Sequence, residues 1–316
     1  MNDIVSAAPN SRDLMLDVDA RTRLAGSNRM EILLFSLGTE ETFGINVFKV
    51  REVTDALPLT EVPNLPDRIE GVVSLRGNVI PVIALARWFG GDASGCDTMM
   101  VTEVSCHAQG FLVRSVDRIV RVEWDKVRAV GPALAGERNL VLAYTELPDG
   151  KLVSVLDVEQ ILADVFGESS VPDLAALGDN GTHVVFADDS QVARRQIVQV
   201  LDRIGVRHQQ ATNGVEAWQL LQSLAASAQA DGVPLKQKLN LVLTDAEMPE
   251  MDGYVLTQRI KSDVRFKGIP VVMHSSLSSN ANRAMGKSVG VDAYVPKFDP
   301  LMLADTLRPL LDKRAA

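Results

Sequence analysis

Residues 241–253 read LVLTDAEMPEMDG, and this stretch decides the fold of the C-terminal part of the chain. Four apolar or β-branched residues lead to Asp245, and a turn-rich segment follows and ends at Gly253. A short apolar run bounded by turn residues predicts a buried strand that ends at the first aspartate. Upstream, residues 191–204 place their apolar side chains on one helical face, which predicts an amphipathic helix.

The same alternation of strand and helix continues through the region 182–316. Predicted strands lie at 183–187, 239–243, 269–273 and 293–295, and predicted helices lie at 191–204, 254–261, 280–289 and 301–311. Strands that alternate with helices in this way predict an α/β fold with a doubly wound, flavodoxin-like parallel sheet. Ligands of such sheets gather at the carboxyl ends of the strands, so the residues there form the candidate site.

Acidic side chains occupy two of these strand ends. Asp188 and Asp189 follow the first predicted strand, and Asp245 follows the strand at 239–243. Carboxylates gathered at one sheet edge repel each other unless a cation lies among them, and oxygen ligands of this kind suit Mg²⁺. The simpler alternative is that two of the three aspartates only cap helices.

A hydroxyl and a lysine at two further strand ends favour a phosphoryl-transfer site over simple caps. Ser275 and Lys297 follow the strands at 269–273 and 293–295. A metal ion, a lysine and a hydroxyl donor together neutralise the oxygens of a phosphoryl group in transfer. Asp245 would then be the carboxylate nucleophile.

Four segments of this half resemble the receiver domain of response regulators. They are the opening segment 183–205, the acceptor loop 241–253, the switch segment 269–276 and the lysine segment 293–298. Their order and spacing make the resemblance specific, and it extends over about 182–316. The resemblance implies a domain that accepts a phosphoryl group from a histidine kinase.

The resemblance also implies a role for each matching acidic residue. Asp245 would be the phosphoacceptor, and Asp189 and Asp245 would bind Mg²⁺ directly. The backbone carbonyl of Glu247 would be a third metal ligand, and Asp188 would assist through a water molecule. Three other matching residues would respond to the phosphate: Ser275 by moving toward it, Lys297 by pairing with it, and Tyr294 by changing rotamer together with Ser275.

Three features depart from the usual receiver pattern. Phe298 follows Lys297, at a position where the receiver pattern has a proline, often in a cis bond. The interval between Asp189 and Asp245 is longer than usual, which predicts an insertion at 225–238, between a helix and a strand and away from the chemistry. Glu247 places a carboxylate beside the acceptor, where it would repel a hydrolytic water or compete for the metal.

The preceding region, 28–166, has a different texture. Short runs rich in β-branched residues alternate with Gly, Asn and Pro, and they lie at 32–37, 42–45, 71–76, 78–83, 110–113, 115–122 and 151–156. Such spacing predicts small β-barrels or a sandwich, closed by a helix at 157–166. The region shows no nucleophile–base pair, metal cluster or glycine-rich phosphate loop, so it is predicted to be a binding module.

This β-rich half resembles the CheW-like domain of bacterial chemotaxis coupling proteins. Matching segments lie at 35–38, 43–45, 50–53, 63–66, 69–72, 74–77 and 80–85. The resemblance implies an all-β pair of small barrels with a groove that holds the cytoplasmic tip of a methyl-accepting chemoreceptor. Another face would meet the CheA histidine kinase. Arg76 is the candidate receptor contact, and the alternative is a surface arginine that closes a turn.

Composition narrows the remaining possibilities. A formal net charge of −9 argues against nucleic acid as a partner, because phosphate backbones need a clustered basic surface. The two cysteines and four histidines show no disulfide framework and no metal-ligand spacing. Residues 1–27, which carry a weak helical pattern at 13–24, lack a signal-peptide pattern, and no apolar run is long enough to insert in a membrane. We therefore expect a cytoplasmic protein, associated with receptor arrays.

The order of a CheW-like domain (28–166), a linker rich in Gly, Ser, Asp and Pro (167–181) and a receiver (182–316) resembles the CheV family. It implies a signalling adaptor, not an enzyme with outside substrates, that couples chemoreceptors to CheA and is modulated by phosphorylation. One alternative is a phosphate sink for CheA in which coupling is secondary. The other is a phosphohydrolase with Asp245 as nucleophile and Glu247 as acid or base. The paired aspartates and the spacings of Ser275 and Lys297 favour a receiver over this hydrolase.

Overall fold

The computed structural model describes residues 29–312, except for 67, 105–106, 131–139, 169, 178–180 and 277–279. The predicted N-terminal segment at 1–27 and its helical pattern lie outside the described residues. The elements of the β-rich half are β1 (Arg29–Ser36), β2 (Thr42–Asn46), β3 (Val50–Asp55), β4 (Ile69–Leu75), β5 (Asn78–Ala84), β6 (Thr98–Val104), β7 (His107–Val113), β8 (Ser115–Glu123), β9 (Arg128–Ala129), β10 (Val141–Glu146), β11 (Leu152–Leu156) and helix α1 (Val158–Phe166).

These strands form two sheets around a shared core. The first sheet has the order β8-β1-β2-β11-β10-β9, and the second has the order β3-β6-β7-β5-β4. One core cluster joins both sheets and α1, and its members include Leu33, Phe43, Val82, Phe111 and Ile161. Removing a side chain of this size from water contributes roughly 1.5–3 kcal/mol. The predicted all-β class is confirmed, and α1 is held in place by this core.

The sequence prediction misses strands β3, β6, β9 and β10. Segment β3 has adjacent charges at Arg51 and Glu52, and β6 has adjacent methionines after Thr98, so the strand pattern is interrupted in both. Their strand conformation comes from pairing, since β3 lies antiparallel to β6 with Val53 opposite Met100. Strand preference depends on such neighbours more than on the segment itself, which is why composition does not reveal it.

A tight turn joins β4 to β5 and contains Arg76. Leu75 pairs with Asn78, so Arg76 and Gly77 form a two-residue loop. Their φ angles are 51° and 85°, both in the left-handed region that such hairpin loops require. Arg76 therefore closes a turn, as the simpler sequence alternative states, and its side chain projects from the end of a rigid hairpin.

The α/β half alternates strand and helix as predicted. Its elements are β12 (His183–Ala187), α2 (Gln191–Arg203), β13 (Arg207–Ala211), α3 (Gly214–Ala230), β14 (Leu241–Thr244), α4 (Gly253–Ser262), β15 (Val271–Ser275), α5 (Asn280–Val289), β16 (Ala293–Pro296) and α6 (Pro300–Asp312). The strands pair in parallel in the order β13-β12-β14-β15-β16. The order in which the chain adds strands reverses between β12 and β14, and a doubly wound sheet binds ligands at that point.

Alternating side chains of β12 pack on opposite faces of this sheet. Val184 and Phe186 join the cluster that contains Ile197 of α2 and residues of α6. Val185 joins the other cluster, which contains Leu221 of α3 and residues of α4. Both faces are thus covered by helices, which explains the uninterrupted apolar run in this strand.

The predicted insertion at 225–238 is placed differently by the structure. Residues 225–230 continue helix α3, and Ala225 and Ala228 of this extension are buried. Alanine has the highest helix propensity, so the extra residues lengthen the helix before the chain turns. The prediction of an insertion lying wholly between helix and strand is therefore wrong for this part, while strand β13 and helix α3 themselves were not predicted.

The two halves are in contact. From the segment between them, Val171 is buried in the core of the α/β half, and Leu177 N donates to the carbonyl of Ile204 at 2.9 Å. Phe298, with a φ of 63°, packs against the core cluster of the β-rich half. The residue that replaces the usual proline thus belongs to the interface. Among the described helices, none is long and apolar enough to cross a membrane.

Candidate functional site

The predicted acidic residues converge at the switch point of the parallel sheet. Asp188 and Asp189 follow β12, Asp245 follows β14, and ligand atoms of all three lie within 4.8 Å of one another. The backbone joins the two strand ends, because Asp245 N donates to the carbonyl of Ala187 at 2.8 Å. We call these three residues the acidic edge.

Gly253, the last residue of the opening motif, allows the acceptor loop to close. A Cβ atom at this position would lie 1.9 Å from the carbonyl oxygen of Asp245, far inside contact distance. Gly253 N donates to the carbonyl of Ala246 at 3.0 Å, and α4 begins here with Asp252 as its N-cap. The motif therefore ends in glycine because the helix start packs directly on the backbone of Asp245.

Lys297 reaches across the sheet into the acidic edge. Its Nζ lies 2.9 Å from Asp245 Oδ2 and 3.1 Å from Asp188 Oδ1. Lys297 N donates to the carbonyl of Ser275 at 3.0 Å, and this bond joins β16 to β15 at their carboxyl ends. The lysine is only 2% exposed, so its charge is compensated by carboxylates and not by water.

The two predicted switch residues are neighbours. Ser275, at the end of β15, is buried, and its hydroxyl hydrogen-bonds with that of Tyr294 on β16. Burial raises the pKa of Tyr294 to about 12, so the phenol stays neutral and keeps its proton. The guanidinium of Arg283 lies 5.7 Å from the centre of the Tyr294 ring. Movement of either hydroxyl would therefore break this hydrogen bond.

Residues of the β-rich half complete the site, and sequence reasoning did not find them. Glu159 of α1 is wholly buried and lies 3.3 Å from Lys297 Nζ through Oε2. Lys49 Nζ lies 3.4 Å from Glu159 Oε1. Asn46 Nδ2 donates to Glu247 Oε2 at 2.8 Å. No motif marks these residues, since their contribution arises only when the two halves meet.

Helix α1 presents Glu159 through its N-terminus. Asp157 caps the helix by accepting a hydrogen bond from Gln160 N at 3.0 Å, and both residues are buried. The apolar residues Val158 and Ile161 pack into the core of the β-rich half. The first turn of α1 is thereby clamped between its own core and the acidic edge.

Burial dominates the electrostatics of the acidic edge. It raises the pKa of Asp188 and Asp189 well above the usual carboxyl range, and it raises the pKa of Asp245 in the same direction. Burial works the same way on Glu159, but Lys297 and Lys49 overcome it and lower the pKa of this carboxyl to about 2. The carboxylates outnumber the two lysines. A divalent cation would offset this excess of negative charge.

Glu247 and His274 are two further titratable groups near the acidic edge. Burial raises the pKa of Glu247 to about 8, which leaves the carboxyl protonated at neutral pH. His274 lies on β15 and is 2% exposed, with Nδ1 4.0 Å from Asp188 Oδ2. Burial lowers its pKa to about 3, so the imidazole is neutral.

Arg76 lies apart from the acidic edge, at the end of the second sheet. Its Nη2 is 2.6 Å from Glu52 Oε2, and the Arg76 side chain is 59% exposed. An exposed pair of this kind contributes about 0–1 kcal/mol to stability. The guanidinium is therefore available at the surface and is oriented by its acidic neighbour.

Known families match the two halves separately and in this order. The CheW-like domain family matches residues 31–166, and the response regulator receiver domain family matches 184–308. Chemotaxis protein CheV3 of Helicobacter pylori is 32% identical, over 87% of this chain and 90% of its own length.

Two solved structures are similar to one half each. Scaffolding protein TtCheW from Thermoanaerobacter tengcongensis is 27% identical and covers 44% of this chain and 91% of its own, with a TM-score of 0.40. Chemotaxis protein CheY4 of Vibrio cholerae is 27% identical and covers 41% of this chain and 98% of its own, with a TM-score of 0.34. Because both domain families match in order and a CheV relative is similar over nearly its whole length, the chain belongs to the CheV family of chemotaxis proteins.

Proposed function

We propose that this protein is a chemotaxis adaptor that couples chemoreceptors to the CheA histidine kinase and is modulated by phosphorylation of Asp245. The observation that carries the proposal is the position of Lys297, 2.9 Å from Asp245 Oδ2 at the acidic edge, in a chain whose other half is CheW-like. The proposed domain boundaries are those of the sequence: 28–166 for coupling, 167–181 for the linker and 182–316 for the receiver.

In the proposed reaction an Oδ atom of Asp245 forms a bond to phosphorus while the bond between phosphorus and its donor breaks. The donor is a phosphohistidine of CheA, or acetyl phosphate in vitro, and the imidazole or the acetate leaves with the electron pair. Lys297 would counter the charge on the phosphoryl oxygens. Ser275 would turn toward the phosphate, and its hydrogen bond with Tyr294 supports a coupled movement of the two side chains.

Mg²⁺ is the metal that this reaction would use. Asp189 and Asp245 would hold it directly, the backbone carbonyl of Glu247 would add a ligand, and Asp188 would assist. Three carboxylates with ligand atoms within 4.8 Å support this assignment, because Mg²⁺ prefers hard oxygen ligands. When bound, the ion supplies positive charge to the phosphoryl oxygens.

The β-rich half would supply the coupling activity. Its likeness to the CheW-like family supports a groove for the tip of a methyl-accepting chemoreceptor and a separate face for CheA. Arg76, exposed at a rigid turn and oriented by Glu52, is the proposed receptor contact. The proposal places the protein in the cytoplasm at receptor arrays.

Neither alternative gains support from the site. A phosphate sink would make coupling secondary, and the match of the CheW-like family over 31–166 favours coupling as the main role. The match of the response regulator receiver family over 184–308 favours phosphorylation of Asp245 itself over hydrolysis of outside substrates. We infer that the chain acts only on its own phosphorylation and dephosphorylation.

A pull-down of a receptor fragment and CheA tests the adaptor function. The wild type should retain both partners, and acetyl phosphate with Mg²⁺ should change the amount of the complex. Asp245→Asn should bind both partners and show no response to acetyl phosphate, because an amide is too poor a nucleophile. Failure of the wild type to bring down either partner would refute the coupling role.

A further inference from the structure

The interface between the halves is centred on the groups that would take up phosphate. Glu159 of α1 approaches Lys297 to 3.3 Å, and Asn46 of β2 donates to Glu247, two residues beyond the acceptor. Phe298, directly after the lysine, packs on the core of the β-rich half. Polar and apolar contacts therefore converge on the same few residues from the opposite half.

Glu159 occupies the position of an anion in this site. Lys297 Nζ has three carboxylate neighbours, and two of them, Asp188 and Asp245, come from its own half. The third is Glu159, whose carboxylate also binds Lys49 at 3.4 Å. In the proposed reaction Lys297 pairs with the anionic oxygens of a phosphoryl group. In this structure the Glu159 carboxylate, which comes from the other half, pairs with Lys297 in the same way.

We propose that Glu159 is a resident substitute for the phosphoryl group, so that phosphorylation of Asp245 and docking of the β-rich half on the α/β half exclude each other. The inference rests on the proposed function of Asp245 and adds the regulation of that site. The unphosphorylated protein is closed, with Glu159 on Lys297. The phosphorylated protein is open, with the phosphoryl oxygens on Lys297.

Charge and packing together make the two states exclusive. Phosphorylation adds anionic oxygens to Asp245, and they compete with Glu159 for the same ammonium group. The Glu159 and Lys297 side chains are 0% and 1% exposed, so solvent does not screen the repulsion between the two anions. Because Ile161 anchors α1 in the core of the β-rich half, α1 cannot withdraw alone, and the half moves as one body.

The closed state also limits access to the acceptor. Asp245 and Lys297 are 5% and 2% exposed, and an incoming donor must approach the oxygen of Asp245 within bonding distance. Opening must therefore precede phosphoryl uptake, and the phosphate then keeps the halves apart. Opening also uncovers the face formed by Asn46, Lys49 and α1, which gives phosphorylation a route to the coupling half without a change inside it.

Solution scattering of the full chain tests the exclusion directly. The radius of gyration of a compact chain of this length is about 20 Å. With Mg²⁺ and beryllofluoride as the phosphoryl mimic, the radius of gyration of the wild type should rise above this value. The radius of gyration of Asp245→Asn should not change. Fluorine NMR of the same samples reports whether the mimic has bound at the aspartate.

Phosphorylation kinetics provide a second test. Glu159→Gln keeps the shape of the side chain and removes its charge, so acetyl phosphate should phosphorylate it faster than the wild type. The expected increase is about 5-fold or more, the lower end of the usual range for coupled sites. Glu146→Gln, at an exposed position of the same half, should react at the wild-type rate.

The outcomes separate this inference from the function on which it rests. Bound mimic with an expanded chain, and faster uptake by Glu159→Gln, would support it. Bound mimic with an unchanged radius of gyration would overturn the exclusion and leave Asp245 as an acceptor. Binding of the mimic by neither the wild type nor Glu159→Gln would overturn the acceptor role, and the inference with it.

Discussion

The two halves use their charged residues in opposite ways. In the α/β half, Asp188, Asp245 and Lys297 are buried together and compensate one another without water. In the β-rich half, Arg76 pairs with Glu52 at the surface, and its side chain is more than half exposed. Buried charges are costly unless they are paired, so their presence marks a site of chemistry, while exposed charges suit recognition.

Helix α1 is the exception that makes the comparison useful. It belongs to the β-rich half by sequence and by core packing, yet Glu159 behaves like a residue of the other half: it is wholly buried and bound to Lys297. The division between chemistry and recognition is therefore crossed at one place, where the two halves meet. Substitutions in the buried site and substitutions at the exposed surface should therefore differ in the size of their effect. They should also differ in the property they change, which is phosphorylation for the first group and receptor binding for the second.

The largest effect is expected for Asp189→Ala. Loss of one carboxylate of the acidic edge removes a metal ligand and upsets the charge balance, so uptake from acetyl phosphate should fall below detection. The variant should match the wild type treated with EDTA. Asp202→Ala, an exposed carboxylate of the same half, is the control and should react normally. Normal uptake by Asp189→Ala would rule out its role at the metal.

Lys297→Ala should reduce phosphorylation by roughly 10²–10³-fold, the range for removing one charge-stabilising donor. The nucleophile survives in this variant, so uptake should be slow but measurable, and the response of the partner complex should be lost more completely. Stopped-flow measurement of uptake, followed by the pull-down, separates the two effects. A wild-type rate would mean that the lysine serves only to balance buried carboxylates.

Gly253→Ala should lower the free energy of unfolding of the α/β half by about 3 kcal/mol, because the new Cβ would collide with backbone at 1.9 Å. Gly286→Ala is the matched control. Gly286 lies in α5, and its Cβ would make ordinary 3.6 Å contacts with Val291 and the Tyr294 ring, so this change should be neutral or stabilise by up to about 1 kcal/mol. Urea unfolding of both variants checks the difference, and equal stabilities would contradict the packing account of the motif.

Arg76→Glu should have the smallest effect, a weakening of receptor-tip binding by about 10-fold. Reversal of a rim charge lowers the association rate and complementarity and leaves the fold intact. Arg118→Glu reverses an exposed arginine on the other sheet and should bind as the wild type does. If titration gives equal affinities for Arg76→Glu and wild type, Arg76 only closes its turn.

How much could be predicted from sequence also differs between the halves. The α/β half is built from local apolar periods, and its site residues stand at strand ends, so the pattern alone brought Asp188, Asp245 and Lys297 to one edge. In the β-rich half, strand β3 pairs with β6, which does not follow it directly along the chain, and propensity does not encode that pairing.

Residues that act across the interface were beyond sequence reasoning. Glu159 has no motif around it, and its neighbour Lys297 is 138 positions away along the chain. Two departures from the receiver pattern, Phe298 and Glu247, were the available signals. Phe298 packs on the core of the β-rich half, and Glu247 accepts a hydrogen bond from Asn46 of that half. Departures from a family pattern can thus mark contacts that the isolated domain does not make.

The most direct test of the account is to locate the phosphoryl group. The full chain is treated with acetyl phosphate and Mg²⁺, the acyl phosphate is reduced with borohydride, and the modified peptide is sequenced by mass spectrometry. We expect the label on Asp245 in the wild type and none in Asp245→Asn. Label on another residue, or no aspartyl label at all, would contradict the account and make the chain a passive scaffold.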